Sequence, residues 1–82
     1  MNEVFLIGKV VSDVELKFII NSKKNKSIGK FNLETDKKQI IDITAYNEIA
    51  DFVYRKIAKG QHVFIYGMLY INEVIVKEIK IL

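Results

Sequence analysis

Seven lysines fall between Lys17 and Lys38, at positions 17, 23, 24, 26, 30, 37 and 38, against two acids, Glu34 and Asp36. From Lys17 to Lys30 there is no acid at all. The segment from Lys17 to Lys38 carries a formal charge of +5 in a chain whose total is +3, so the rest is net −2. A one-sided basic segment on a small domain suits a polyanion such as nucleic acid. The alternative is a solvated lysine loop. Lysine is a point charge rather than a bidentate fork, and arginine occurs once, at Arg55. The chemistry on offer is therefore contact with backbone phosphate more than reading of base edges. Aromatic rings complement it, because every base has a face that stacks. Tyr46 is the best stacking candidate, its structural alternative being a half-buried ring that seals the edge of the core. Phe18 serves either stacking or core packing.

Residues that most reactions require are missing or isolated. Without cysteine there is no disulfide, no thiolate-bound zinc and no cysteine nucleophile. The single histidine, His62, follows Gly60-Gln61 with no acid or nucleophile at motif spacing, and reads as a surface residue. A histidine-built metal site is excluded on the same count. Asp13 with Glu15, and Asp36 with Asp42, are pairings that chance supplies in a chain with 28% charged residues. The four glycines are spread singly, so there is no phosphate cradle. No enzyme, no metal and no other cofactor is expected.

These residues must be carried by one small domain. The chain has 82 residues, half of them apolar, with no proline, repeat or linker. A domain of this size buries only about 60% of its unfolded surface, and self-association is one way to support so thin a core. No apolar run reaches the ~18 residues of a membrane span. Met1-Asn2-Glu3-Val4 lacks the basic-then-apolar order of a signal peptide. The expected location is the cytoplasm, with an unprocessed N-terminus and no membrane partner.

Alternation of side chains predicts strands. Val4, Leu6, Gly8 and Val10 share one face of the first, with Phe5, Ile7, Lys9 and Val11 on the other. The pattern resumes through Val14, Leu16 and Phe18, which predicts one long strand bent near Ser12-Asp13, with Gly8 at a bulge or bend. Asn21 to Ser27 is a polar turn cluster. A second strand, about Ile28 to Thr35, turns Phe31, Leu33 and Thr35 inward and Lys30, Asn32 and Glu34 outward. Asp36-Lys37-Lys38 makes a hairpin turn. A third strand, about Gln39 to Tyr46, turns Ile41, Ile43 and Ala45 inward and Ile40, Asp42, Thr44 and Tyr46 outward.

The period then changes. Ile49, Phe52, Val53 and Ile57 form a helical stripe between Asn47 and Lys59, with Asn47 as cap and Gly60 as the left-handed stop. Alternation returns in Val63, Ile65, Gly67 and Leu69 against Phe64, Tyr66, Met68 and Tyr70. A turn at Ile71-Asn72-Glu73 leads to a last strand, Val74 to about Ile81. This order fits an all-β OB-fold, a five-stranded Greek-key barrel with an α-helix between strands three and four. An SH3-like barrel is the runner-up, but it has no use for an amphipathic helix there. On the OB-fold, Lys30, Asn32, Thr44 and Tyr46 share an outward face with Ile40 as an apolar ledge. Lys17, Phe18, Lys23, Lys24 and Lys26 border the first loop, and Lys37 and Lys38 extend the basic set. Tyr70, beside the last turn, serves this surface or a protein contact.

Asn2-Glu3-Val4-Phe5-Leu6-Ile7-Gly8-Lys9-Val10 resembles the opening strand of bacterial single-stranded DNA-binding proteins. Asp13-Val14-Glu15-Leu16-Lys17-Phe18 is similar to their D-P-E-x-R-x element, with Val14 where proline is usual. Phe31-Asn32-Leu33 resembles their second strand. Ile43-Thr44-Ala45-Tyr46 with Glu48-Ile49-Ala50 resembles their third strand and helix start, with Tyr46 in place of Trp or Phe. Lys59-Gly60-Gln61-His62-Val63-Phe64-Ile65-Tyr66-Gly67-Met68-Leu69 resembles their K-G-x-x-V-x-V-x-G-x-L. The likeness spans the whole chain.

It implies sequence-nonspecific binding of single-stranded DNA in replication, recombination or transfer. Three departures stand out: no acidic-tipped tail, loops trimmed to turns, and no Trp. They resemble short relatives such as primosomal replication protein B and the paralogs of plasmids, phages and mobile elements. Recruitment of replication enzymes through a tail is put in doubt by the first departure. A protein–protein adaptor docking to a helicase or other replication enzyme is the alternative function, and RNA the alternative polyanion. Phe5, Ile7, Phe64 and Tyr66 form an apolar outward stripe on strands one and four, which usually marks a protein contact. In the resembled family those strands form subunit interfaces. The stripe is therefore assigned to a homo-oligomer, dimer or tetramer, its rival reading being a second stacking platform.

Overall fold

The computed structural model describes residues 2–21 and 23–82. Met1, in the expected unprocessed N-terminus, and Ser22, in the expected turn cluster, lie outside the described residues. The elements in chain order are β1 (Val4–Val10), β2 (Glu15–Ile20), β3 (Asn25–Glu34), β4 (Ile40–Tyr46), α1 (Asn47–Lys56), β5 (His62–Tyr70) and β6 (Glu73–Ile81).

β1 pairs with β5 from Val4↔Gly67 to Lys9↔His62, and at its end also with β3, through Lys9↔Glu34 and Val10↔Leu33. The circuit continues β5–β6–β4–β3 and is antiparallel except where β4 meets β6, at Asp42↔Glu73, Ile43↔Val74 and Thr44↔Ile75. This is the closed five-stranded barrel of the OB-fold, with the helix between its third and fourth strands. The inward face supplies the core: Val10, Phe31, Leu33, Ile43, Ala45, Val63, Ile65, Val74 and Val76 are buried. α1 adds Ala50 and Val53, and its contact with β3 is close enough that a Cβ on Gly29 would lie 3.4 Å from the Ala50 Cα.

The expected long first strand is broken into β1 and β2. One strand must follow β5 at its start and β3 at its end, and a continuous pleat cannot do both. The corner is pinned to β3: the Asn32 N–H donates to Ser12 Oγ at 2.8 Å, and the Val11 N–H donates to the Asn32 carbonyl at 3.0 Å. Approaching that corner, β1 runs so near β3 that a Cβ on Gly8 would lie 2.6 Å from the Glu34 carbonyl oxygen. A second close approach lies at the β-bulge between Tyr66 and Gly67, where a Cβ on Gly67 would overlap the Ile75 carbonyl oxygen.

Other expectations shift locally. The turn cluster is shorter than Asn21 to Ser27, because β3 already begins at Asn25. Asn21 Oδ1 accepts from the N–H groups of Lys23 (3.0 Å) and Lys24 (2.7 Å), which tightens the turn. α1 ends at Lys56 rather than Lys59, where Ile57 turns extended and buries its side chain. Gly60 does take a positive φ of 99°, but in the turn after the helix. Asn47 is not a cap: its own φ is 55°, and its Oδ1 accepts instead from the Ser27 N–H at 3.4 Å. Leu69, expected inward, is exposed near the end of β5, where the Asn2 side chain bonds both its N–H and its carbonyl. No helix among the described residues is long and apolar enough to cross a membrane.

Gly67→Ala tests the close approach at the bulge. Forced overpacking costs roughly 1–3 kcal/mol, which lowers the melting temperature of a domain this size by at least ~4–8 °C. An unchanged melting temperature would show that β5 and β6 are not so tightly apposed.

Candidate nucleic-acid interface

Opposed residues on paired strands share a face. Lys17 stands opposite Ile28, which stands opposite Tyr46; Ile19 stands opposite Lys26; Glu15, Lys30 and Thr44 form the next row. The outer face of β2, β3 and β4 thus gathers Lys17, Ile19, Lys26, Ile28, Lys30 and Tyr46 into one strip. The Lys26 ammonium lies 5.6 Å from the centroid of the Tyr46 ring. Tyr46 and Ile28 are half-buried, whereas Lys17, Lys26 and Lys30 are exposed, as are Lys23 and Lys24 at the tip of the β2–β3 hairpin. Phosphate-binding charge and a flat ring therefore sit side by side. Ile19 and Ile28 were not among the expected contacts. Counting outward from the Asn21 turn would have put both on the lysine face.

Other expected residues lie elsewhere. Phe18 is on the opposite face of β2, which it shares with Leu16, and is 67% exposed. It is neither core nor a neighbour of the Tyr46 ring. Lys37 and Lys38 sit in the turn beyond the far end of β3, which lies roughly 25 Å along the strand from Lys26 at ~3.3 Å per residue. There Lys37 borders a cavity with Phe5, Ile7 and Phe64, and Lys38 borders one with Lys9 and His62. Thr44 does point outward but is only 1% exposed, because its short side chain sinks between Lys30 on β3 and Ile75 on β6. It offers almost no surface to a ligand.

Asn32 is committed to a neighbour: its amide donates to Asp42 Oδ1 at 2.6 Å. A shallow cavity of about 310 Å³ opens there, in the middle of the face. Asp13, Glu15, Asp42 and Glu73 line it, with Lys30 as its one cation. Ile40 and Tyr70 are exposed beyond this acidic cavity, Ile40 beside Leu69 and Ile71 and Tyr70 opposite Glu73. The two are separated from the lysine strip by carboxylates.

The apolar stripe forms a contiguous patch on β1 and β5. Phe5 stands opposite Tyr66 and Ile7 opposite Phe64. The Phe5 ring stacks on Tyr66 at 4.9 Å and on Phe64 at 6.3 Å. Phe5 and Ile7 are more than half exposed. The Tyr66 hydroxyl donates to Glu3 Oε1 at 2.8 Å, a bond that requires its proton and holds the phenol pKa above the ordinary tyrosine value.

The model of the "Single-strand binding protein family" matches residues 1–80. Comparison with curated protein sequences gives no match. Among solved structures, the wild-type single-stranded DNA binding protein from Thermus aquaticus superposes with a TM-score of 0.88 at 17% identity over 100% of this chain. A deletion mutant of the same protein gives 0.88 at 18% identity. The chain spans about 40% of the length of the wild-type Thermus protein and 41% of the mutant. The SSB domain of a Synechococcus sp. protein gives 0.85 at 16% identity, over 96% of this chain and 93% of that one. At these identities the likeness shows the fold.

The division of the lysines is measurable with a generic polyanion. Lys17→Ala/Lys26→Ala/Lys30→Ala should elute from heparin at clearly lower salt than Lys37→Ala/Lys38→Ala, beyond the loss expected from charge count. Equal loss per charge would mean that no strip exists.

Proposed function

The chain belongs to the single-strand binding protein family, and on that footing we propose that it binds single-stranded DNA without sequence preference through the strip on β2, β3 and β4. Membership and the OB-fold support the ligand class; the observation that carries the site is Lys26 poised over Tyr46. An exposed cation–π contact is worth only about 0.5–1 kcal/mol, whereas a base on an aromatic ring is worth roughly 1–3 kcal/mol. An incoming base can therefore displace the ammonium, and the flexible stem of Lys26 carries the charge to the adjacent phosphate. Lys17, Lys23, Lys24 and Lys30 hold further phosphates, and Ile19 and Ile28 give the bases an apolar floor. Contacts of this kind ignore base identity. The roles are binding roles, in a family of DNA-binding proteins that are not enzymes.

The stripe of Phe5, Ile7, Phe64 and Tyr66 is assigned on the same reading to a second copy of the chain. Its rings are already stacked, Phe5 and Ile7 are exposed, and among the described residues β1 has no partner along its other edge before Lys9. Phe5→Ser should lower the mass measured by light scattering to that of one chain; an oligomer that survives intact would remove the stripe from the interface. The second function, a protein adaptor, draws on Phe18 and Ile20, which are 67% and 80% exposed on the face away from the lysines.

Titration of labelled oligo-dT, its duplex and an RNA oligomer separates these readings. Single-strand preference with these lysines engaged gives a slope of log affinity against log salt of roughly −3.5, at ~0.7 per phosphate. A slope near zero would point to the adaptor. Tyr46→Ala should weaken oligo-dT binding by roughly 1–3 kcal/mol; no change would leave Tyr46 a purely structural residue.

A further inference from the structure

OB-folds carry nucleic acid across the face of the barrel's second and third strands, between the loop joining strands one and two and the loop joining strands four and five. Here those strands are β3 and β4, and the loops are the β2–β3 turn and the turn at Ile71-Asn72. The residues along that route change character halfway. From the β2–β3 turn inward come Lys26, Ile28 with Tyr46, and Lys30. The next positions are Asn32 with Asp42, and Asp42 adjoins Glu73 on β6. Asp13 and Glu15, from the corner between β1 and β2, line the same cavity. Four carboxylates therefore face one ammonium group at the point where a strand would cross to Ile71. No ion pair to any of the four lies within 4 Å among the described residues, so their charge is not neutralised locally.

We infer that Asp42 and Glu73, backed by Asp13 and Glu15, form an electrostatic barrier that ends the bound single strand at Lys30 and keeps it off Ile40, Tyr70 and the β5–β6 turn. This rests on the proposed single-strand binding and specifies its extent. A phosphate passing over the cavity meets repulsion from carboxylates on both sides, with only Lys30 to offset it. The strand is instead held along the β2–β3 hairpin, where every ionised group from Lys17 to Lys30 is a cation. The barrier makes the site short for its fold, and it confines stacking to Tyr46.

Removing charge without changing shape tests this. Asp42→Asn/Glu73→Gln is compared with the wild type on labelled oligo-dT of about 4, 8 and 16 nucleotides, lengths that bracket the range of OB-fold sites. A unit charge ~4 Å from a phosphate in water alters affinity roughly fivefold. The variant should gain roughly fivefold or more on the longest oligomer at low salt and little on the shortest, and the gain should shrink as salt rises. The wild type should gain little beyond the middle length. Asp13→Asn/Glu15→Gln should act in the same direction, which guards against a folding defect in the first pair. Asp36→Asn/Glu78→Gln, equal in charge but remote from the cavity, should change nothing. The barrier is overturned by an equal gain at all lengths, by the same gain from the remote pair, or by no gain in either cavity pair. Failure of the wild type to bind oligo-dT at any length would instead sink the binding proposal beneath it.

Discussion

One strand that must serve two neighbours governs this molecule. β1 closes the barrel by lying against β5 and touching β3, and the same run of chain then continues along β3 as β2. Covalent geometry allows this only through a corner, which Ser12 and Val11 bond to Asn32. Gly8 makes the corner possible by letting backbone pass against backbone. Once the corner is set, β2 and the first half of β3 extend as a hairpin past the closed ring. That hairpin has little apolar core of its own to protect, so its surface is free to carry charge. The core and the lysines are thereby separated: Val10, Leu33 and Ile65 hold the barrel, and the hairpin holds the cations.

The same geometry explains why the charge is one-sided. Alternation places Lys17, Lys26 and Lys30 on the outer face with Ile28 and Tyr46, while Phe18 and Ile20 turn toward the side that carries α1. A ring fixed in the barrel wall beside mobile ammonium groups has the two qualities that sequence-tolerant grip requires, a rigid surface for bases and adaptable charge for phosphates. The acids lining the neighbouring cavity are as much a part of the surface as the lysines, because a polyanion responds to the sum of the local field and not to a formal charge of +3.

Much of the barrel was legible in the sequence because its elements differ in period. Phe31, Leu33, Ile43, Ala45, Val63 and Ile65 were read as inward and are buried. The helix showed as a break in alternation and nearly kept its bounds. What escaped depended on partners distant in sequence. The corner after Val10 reflects two pairings at once, and no local pattern announces that. Thr44 shows as an outer-face position, but it is buried where β4 runs beside β6 and meets Ile75, a partner thirty-one residues away. Lys37 and Lys38 lie close in number to Lys30, yet most of a strand separates them from the strip. Asn47 has a capping side chain by type, but its backbone at a φ of 55° turns the amide toward Ser27 instead. The acidic cavity was invisible because its carboxylates come from three separate segments, and only Asp13 and Glu15 are neighbours in the chain.

The most direct test of the whole account is a two-dimensional amide NMR titration with a short oligo-dT. The account predicts that shift changes concentrate in residues 17–30 and around Tyr46, while Phe5, Ile7, Phe64, Lys37 and Tyr70 stay still. Changes centred on β1 and β5, or on the β5–β6 turn, with the hairpin unmoved, would contradict it.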